Sequence, residues 1–377
     1  MAVLDGLRVI EIAGIGPGPF CGMLLADMGA QVTLVERAGG KANDPLDLGP
    51  NAIVNRGKRS LALDLKDPAA IEAVLRLIEQ ADVVIEGMRP GVMERLGLGP
   101  EVCLARNPKL VYGRMTGWGQ QGPLAQAAGH DINYIALSGA LWFSGAPGSA
   151  PMAPPTLVGD LGGGALYLAM GILAAVLHAR QGGAGQVIDA AIVDGSANLM
   201  NLVLSAHAAG QQPMERGRGL LDGPHWYGSY ACADGQYISI GALEPQFSAL
   251  LFNKLGLGDD PDFKHPYDPR RWAALRVRLE QVFASQPRRH WAELMEGSDA
   301  CFSPVLTPAQ AMHHPHMAAR GVYLERDGVL QARPAPRFSS DPEPAIGAVP
   351  RRGEHSAAIL HAAGLGHAAI ARLLPDA

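Results

Sequence analysis

The opening 36 residues constrain the fold more than any other stretch of this chain. Residues 7–13 (LRVIEIA) are an apolar, β-branched run of strand length. A Gly/Pro turn follows, then a helical stretch from Phe20 to Met28 closed by Gly29, then a second strand at 31–36 (QVTLVE). Two strands joined through a helix make a βαβ unit, and that unit implies a parallel sheet. The alternation continues with strands at 60–65 (SLALDL), 82–86 (DVVIE) and 110–115 (LVYGRM), and a helix from Asp67-Pro68 to about Gln80. Strand and helix in turn define an α/β fold. The first turn, Gly14-Ile15-Gly16-Pro17-Gly18-Pro19, invites a dinucleotide reading, with Glu36 where a ribose-binding acid would stand. Yet Pro19 replaces the third glycine, and Pro17 and Pro19 lack the N–H groups that a pyrophosphate needs. A tight turn in a Rossmann-like domain is the better reading.

The second half reads differently. A helix is expected from Leu161 to Ala179, N-capped by Asp160, then a short strand or the start of another element at 186–193 and a long alanine-rich helix at 194–209. Residues 211–219 read as a linker. A hairpin around Ala233-Asp234-Gly235, helices at 245–255, 270–284 and 289–295, and a loop at 260–269 make a second region. From Arg333 the chain turns Pro-rich and ends in short helices at 356–363 and 370–374.

Composition narrows the function classes. With 48% apolar and 18% charged residues the chain has ample material for a buried core. A net charge of −5 without a long basic stripe argues against a nucleic-acid partner. The most apolar segment, 165–179, is shorter than a membrane span, so no membrane partner is expected. Cys21, Cys103, Cys232 and Cys301 show no CxxC spacing, which argues against zinc or disulfides and for a reducing, cytoplasmic setting. The N-terminus shows no signal-peptide pattern, and Leu374-Pro375-Asp376-Ala377 is not a peroxisomal address. His313-His314-Pro315-His316 lacks acidic or Cys partners at ligand spacing, so no metal is expected.

The chemistry converges on residues 129–164. His130 stands beside Asp131, and Asp160 precedes three glycines and an apolar run. A base and an acid near each other can move protons at carbon. Glycines 162–164 weaken the expected helix by roughly 1 kcal/mol each. They are read as letting an anion such as an enolate approach bare N–H groups at the helix start. Arg37, Lys66, Arg89 and Arg95, with Arg56 and Arg59, stand near strand ends or in the loops beside them, and such a set of cations suits phosphates.

Several longer stretches then carry a resemblance. They include 5–30 (DGLRVIEIAGIGPGPFCGMLLADMGA), 55–66 (NRGKRSLALDLK), 129–139 (GHDINYIALSG), 159–164 (GDLGGG), 185–196 (GQVIDAAIVDGS) and 241–247 (GALEPQF). Together they resemble the family III CoA-transferase (CaiB/BaiF-type) superfamily, most of all its α-methylacyl-CoA racemase branch. The resemblance implies an interlocked homodimer with a Rossmann-like large domain and a smaller α+β domain. The expected parts are 1–195 (large domain), 196–222 (linker), 223–313 (small domain), 314–332 (return linker) and 333–377 (completing the large domain). It implies epimerisation of 2-methylacyl-CoA thioesters by His130 and Asp160, assisted by Glu244 from the partner's small domain. CoA, carried by the substrate, would be held by Arg37, Leu63, Asp64, Leu65, Lys66, Gly87, Met88, Arg89 and Arg95. The loop of Gly129, Asp131, Ile132, Asn133 and Tyr134 would complete that set, and no prosthetic group is implied. The alternative within the superfamily is a CoA-transferase in which Asp160 forms an acyl anhydride. One departure stands out: Pro224-His225-Trp226 puts bulk where that branch has small residues, and its bearing on the acyl tail stays open.

Overall fold

A computed structural model of the chain describes residues 2–39, 48–341 and 343–374. Of the four C-terminal residues considered as an address, Pro375, Asp376 and Ala377 lie outside them. The chain divides into two compact units. The first comprises Met1–Leu141, Ala153–Met200 and Glu325–Ala377, and the second Trp142–Met152 and Asn201–Leu324.

The first unit is built from β1 (Arg8–Ile12), α1 (Pro17–Asp27), β2 (Gln31–Arg37), β3 (Arg59–Leu63), α2 (Pro68–Ile78) and β4 (Val83–Glu86). Then come α3 (Val92–Arg95), α4 (Pro100–Arg106), β5 (Val111–Thr116) and α5 (Asp131–Ser138). A π-helix (Leu157–Ala165) runs straight into α6 (Leu166–Arg180), followed by β6 (Gln186–Ala191) and α7 (Ile192–Leu199). The six strands form one parallel sheet in the order β3-β2-β1-β4-β5-β6. The strand order therefore reverses between β1 and β4, and ligands of such sheets collect outside the strand C-termini near that point.

Both sheet faces are covered, as a parallel sheet requires. On one side Ala73 and Val74 of α2 pack with Leu61, Val84 and Tyr112 of the strands. On the other, Cys21 and Leu25 of α1 and Leu168 and Ile172 of α6 pack with Val9, Val83 and Val111. Gly113 on β5 admits α6: a Cβ there would lie 2.8 Å from Leu168 Cδ1. The helical run Leu157–Arg180 is 24 residues with mean hydropathy 1.7, so by length and composition it could cross a membrane. The run is longer than the apolar segment 165–179 because the π-helical turns of Leu157–Ala165 precede it.

Arg56, expected near a ligand, is instead structural, and so is its neighbour Lys58. Lys58 Nζ lies 2.8 Å from Glu11 Oε1 and 2.7 Å from Oε2, with both side chains fully buried. Arg56 is buried against Asp27 at 2.6 Å and also donates to Gln331 Oε1 and the Ala332 carbonyl. Arg59 is exposed.

The second unit holds α8 (Asn201–Ala208), the antiparallel sheet of β7 (Tyr227–Ala231), β8 (Tyr237–Gly241) and β9 (Phe302–Val305), and helices α9 (Pro245–Lys254), α10 (Trp272–Phe283) and α11 (Arg288–Met295). Short helices α12 (Pro308–His313) and α13 (Pro315–Ala319) follow. The single long helix expected at 194–209 is two, α7 and α8, interrupted at Met200. His225 and Trp226 are both fully buried in this unit's core. His225 stacks on Phe252 at 5.6 Å and meets Phe263 edge-on, while Trp226 Nε1 donates to the Pro266 carbonyl. The bulk that departs from the racemase pattern fills a core.

The chain ends in α14 (Ser356–Ala362) and α15 (His367–Leu373), which belong to the first unit. The Ser60 and Ala62 N–H groups of edge strand β3 donate to His355 Nδ1 and Ser356 Oγ. The tail thus covers an edge that would otherwise be open to pairing.

Candidate active site

The C-terminal ends of the strands supply the site. After β1 the chain turns through Gly16, whose φ of 69° suits glycine, and α1 starts on Pro17. The turn lies against Asp160: a Cβ on Gly16 would come within 3.5 Å of Asp160 Oδ2. Asp160 sits inside the π-helix and is not the N-cap expected from sequence. That helix starts after Thr156, whose φ of 61° is costly for a β-branched residue. Both features, π-helical turns and off-region backbone, recur at functional sites.

The glycines after Asp160 have a different purpose from the one expected. A Cβ on Gly163 would lie 2.7 Å from Ser196 N and Oγ, and one on Gly164 would lie 3.0 Å from Ile192 Cγ1. These two glycines are buried and let the π-helix and α7 touch backbone to backbone. The N–H groups of Gly159 and Asp160 are also engaged: both donate to Asp131 Oδ1, at 2.9 and 2.8 Å. An enolate therefore finds no vacant donor at those two positions.

His130 and Asp131 open α5. His130 is exposed, and its N–H donates to Asn133 Oδ1 at 3.1 Å. Asp131 is buried. Tyr134 is buried too, its hydroxyl donating to the Gly129 carbonyl and its ring edge-on to Trp118 at 4.7 Å. The Asp160 carboxyl is pushed up to about 6, first by burial and then by the negative charge of Asp131, with His130 acting in the opposite sense. Burial, with the Asp160 charge, also raises the Tyr134 hydroxyl.

Asp160 faces a cleft of about 660 Å³, within the usual size range for small-molecule sites. Its walls include Gly16 and Phe20 beside Asp160, and Glu36, Arg37 and Arg352 farther along the sheet edge. Arg352 comes from the C-terminal segment. Its Nη1 donates to the Arg37 carbonyl at 3.4 Å and its Nε lies 3.7 Å from Glu36 Oε2. Nothing in the sequence marks Arg352, because it lies some three hundred residues from its neighbours. Glu36 also accepts a hydrogen bond from Ser60 Oγ, so this acid is not poised for a ribose.

The remaining CoA candidates occupy the same side of the sheet. Register sets Arg37 opposite Leu63, with exposed Asp64 and Lys66 just beyond. Gly87, Met88 and Arg89 follow β4, and Arg95 ends α3. Buried Glu86 shapes that loop by accepting from the Met88 N–H at 2.7 Å and from Arg114 at 2.9 Å. Arg37, Lys66, Arg89 and Arg95 are all exposed. Leu63, Asp131 and Tyr134 are buried, which leaves a ligand little of their side chains to meet. Gly129 and Ile132 flank His130 and Asp131, and Leu65 is half-buried. Glu244 lies in the second unit, exposed at the N-terminus of α9 and near Cys301, whose thiol is raised by burial and then by the Glu244 charge. Among the described residues no group of three or more His, Cys, Asp or Glu stands together to hold a metal ion.

A carboxylic acid beside a histidine at the strand ends of a parallel α/β sheet suits acid–base or acyl-transfer chemistry. Comparison with known proteins gives the family. Residues 4–356 match the model of CoA-transferase family III, and the chain belongs to that family. It is 41% identical to alpha-methylacyl-CoA racemase from Mus musculus, covering 99% of this chain and 97% of that one. It is 32% identical to acetyl-CoA:oxalate CoA-transferase from Acetobacter aceti, over 94% of each. The crystal structure of a CaiB/BaiF family protein from Brucella suis superposes with a TM-score of 0.80 at 31% identity, covering 96% of this chain and 99% of that chain.

Proposed function

We propose that this enzyme epimerises 2-methylacyl-CoA thioesters by transferring a proton between the two faces of the α-carbon. The observation that carries the reading is the placement of Asp160 on the wall of the cleft, within electrostatic reach of His130; its carboxyl, pushed up to about 6 by burial, can both hold and release a proton near neutrality. General acid–base catalysis is most effective with groups poised in that range. The higher identity to the racemase than to the oxalate transferase supports the same choice.

In the proposed reaction His130 removes the α-proton of the 2S epimer while protonated Asp160 delivers one to the opposite face. The reverse reaction exchanges the roles. The intermediate enolate would lie at the N-terminal, positive end of α5. Arg37, Lys66, Arg89 and Arg95 would hold the phosphates of CoA. Glu244 of a second subunit would support His130, which requires an interlocked homodimer around a Rossmann-like large domain. The chemistry calls for no prosthetic group, and we place it in the cytoplasm.

Proton NMR of the enzyme with (2S)- and (2R)-2-methylacyl-CoA in D2O tests this. Loss of the α-proton signal from both epimers, with no acceptor acid present, is the expected result. Absence of exchange, with CoA transfer on adding a free carboxylic acid, would instead make Asp160 an acyl-accepting nucleophile.

A further inference from the structure

We propose that Asp131 is a positioning residue, whose buried carboxylate clamps the backbone that carries Asp160 and ties it to the residue that carries His130. The inference rests on the proton-transfer reading of Asp160, and it assigns Asp131 a role other than contact with CoA.

Three observations converge on it. First, one oxygen of Asp131 accepts two consecutive N–H groups, from Gly159 and Asp160. A carboxylate held by two backbone donors is a strong, geometrically defined grip. Second, Gly159 is shaped to it: a Cβ there would lie 2.5 Å from Asp131 Oδ1 and 2.9 Å from Ile135 Cγ2. Only glycine lets the π-helix come down onto α5 at this point. Third, Asp131 directly follows His130, so the same short piece of backbone sets both bases. A shift of about 1 Å between reacting groups can cost on the order of 100-fold in rate.

The carboxylate also places negative charge next to Asp160. Burial is the larger cause of the high Asp160 value and the Asp131 charge the second. Of the other titratable groups on elements packed against the π-helix, Arg114 on β5 is paired with Glu86 and Glu94, and Asp189 on β6 accepts from the Gln120 N–H. His130 opposes the shift, and Tyr134 on α5 is itself raised by Asp160. Glu36, Arg37 and Arg352 share the cleft. On α7 Asp194 is exposed; on α1 Asp27 is paired with Arg56; His178 and Arg180 lie at the far end of α6. Asp131 is the only one of these acids that bonds the backbone of Asp160. Its charge therefore keeps the neighbouring carboxyl protonated to a higher pH than burial alone would.

The test compares full-length wild type with Asp131→Asn and Asp131→Ala. The primary readout is the titration of Asp160 by carboxyl ¹³C NMR, its resonance assigned by loss in Asp160→Asn. Asp131→Asn keeps an oxygen for both N–H groups but removes the charge. The Asp160 midpoint is expected to fall by roughly one unit, as removal of a close like charge should produce. The acid limb of the pH–rate profile should move down with it. Asp131→Ala, which also removes the grip, should lower α-proton exchange by about 100-fold in both directions. Wild-type exchange in Asp131→Ala would overturn the clamp, and an unchanged Asp160 midpoint in Asp131→Asn would overturn the effect of the Asp131 charge on Asp160. Should wild type show no exchange at all, the proton-transfer reading fails, while the NMR midpoint still decides what Asp131 does to Asp160.

Discussion

Gly195 presses its backbone against Gly163 so closely that a methyl group on Gly195 would overlap the Gly163 carbonyl oxygen. The contact joins α7 to the π-helix three residues past Asp160, so packing and site geometry share one crossing point. Overpacking such a contact costs about 1–3 kcal/mol. Gly195→Ala should therefore lower the melting temperature by several degrees and reduce turnover in both directions. Differential scanning fluorimetry with an exchange assay checks both; a Gly195→Ala enzyme with wild-type stability would show that the crossing has slack.

The buried pair of Lys58 and Glu11 makes a second prediction. Burial pushes the Glu11 carboxyl up more strongly than Lys58 pulls it down, so each partner depends on the other. Lys58→Met leaves Glu11 alone in the core and should cost about 3–5 kcal/mol in urea unfolding. The double change Glu11→Leu with Lys58→Met should recover much of that loss. If the double variant is no better than the single one, the pair is not an isolated electrostatic unit.

Acid sensitivity should come from the second unit. His225 is lowered to about 3 by burial, then by Arg276 and Arg271, and neither of its ring nitrogens has a hydrogen-bond partner. In the unfolded chain its value returns toward 6.5. Below that pH the unfolded state takes up a proton that the folded state refuses, so stability falls as pH drops from about 6.5 toward about 3. His225→Phe removes this slope. Melting curves between pH 7 and pH 5 should show wild type losing stability faster than the variant; parallel curves would assign the acid loss to other groups.

The face-selectivity of the two bases is the fourth prediction. Asp160→Asn should lose epimerisation by at least about 100-fold yet still exchange the α-proton of the 2S epimer through His130. His130→Gln should do the reverse, exchanging only the 2R epimer. Deuterium incorporation from each epimer measured separately reads this directly. Equal loss from both faces in each variant would mean that the residues act as one unit.

The sheet was legible in the sequence because its signals are local. Strand-length apolar runs, Pro68 at a helix start and the turn after Ile12 each speak within a few residues. Pro19 in that turn was enough to turn the reading away from a dinucleotide. The surroundings of Asp160 were not legible. An apolar, glycine-containing run announces a helix but not its register, so the π-helical turns and the place of Asp160 within them were missed. The glycines were assigned to a ligand because only the fold shows Ser196 and Gly195 facing Gly163. Asp131 and Arg352 act over 28 and 315 residues of chain, a range at which no periodicity operates. Arg56 reads as a ligand cation in the sequence because its partner, Asp27, is distant in sequence and buried in the fold.

The most direct measurement follows the fate of Asp160 during turnover. Enzyme is mixed with 2-methylacyl-CoA deuterated at the α-carbon, quenched within one turnover, and its Asp160 peptide and the recovered thioester are analysed by mass spectrometry. Proton transfer leaves Asp160 unmodified and loses the deuterium to water. An acyl or CoA adduct on Asp160, with the deuterium retained, would contradict it.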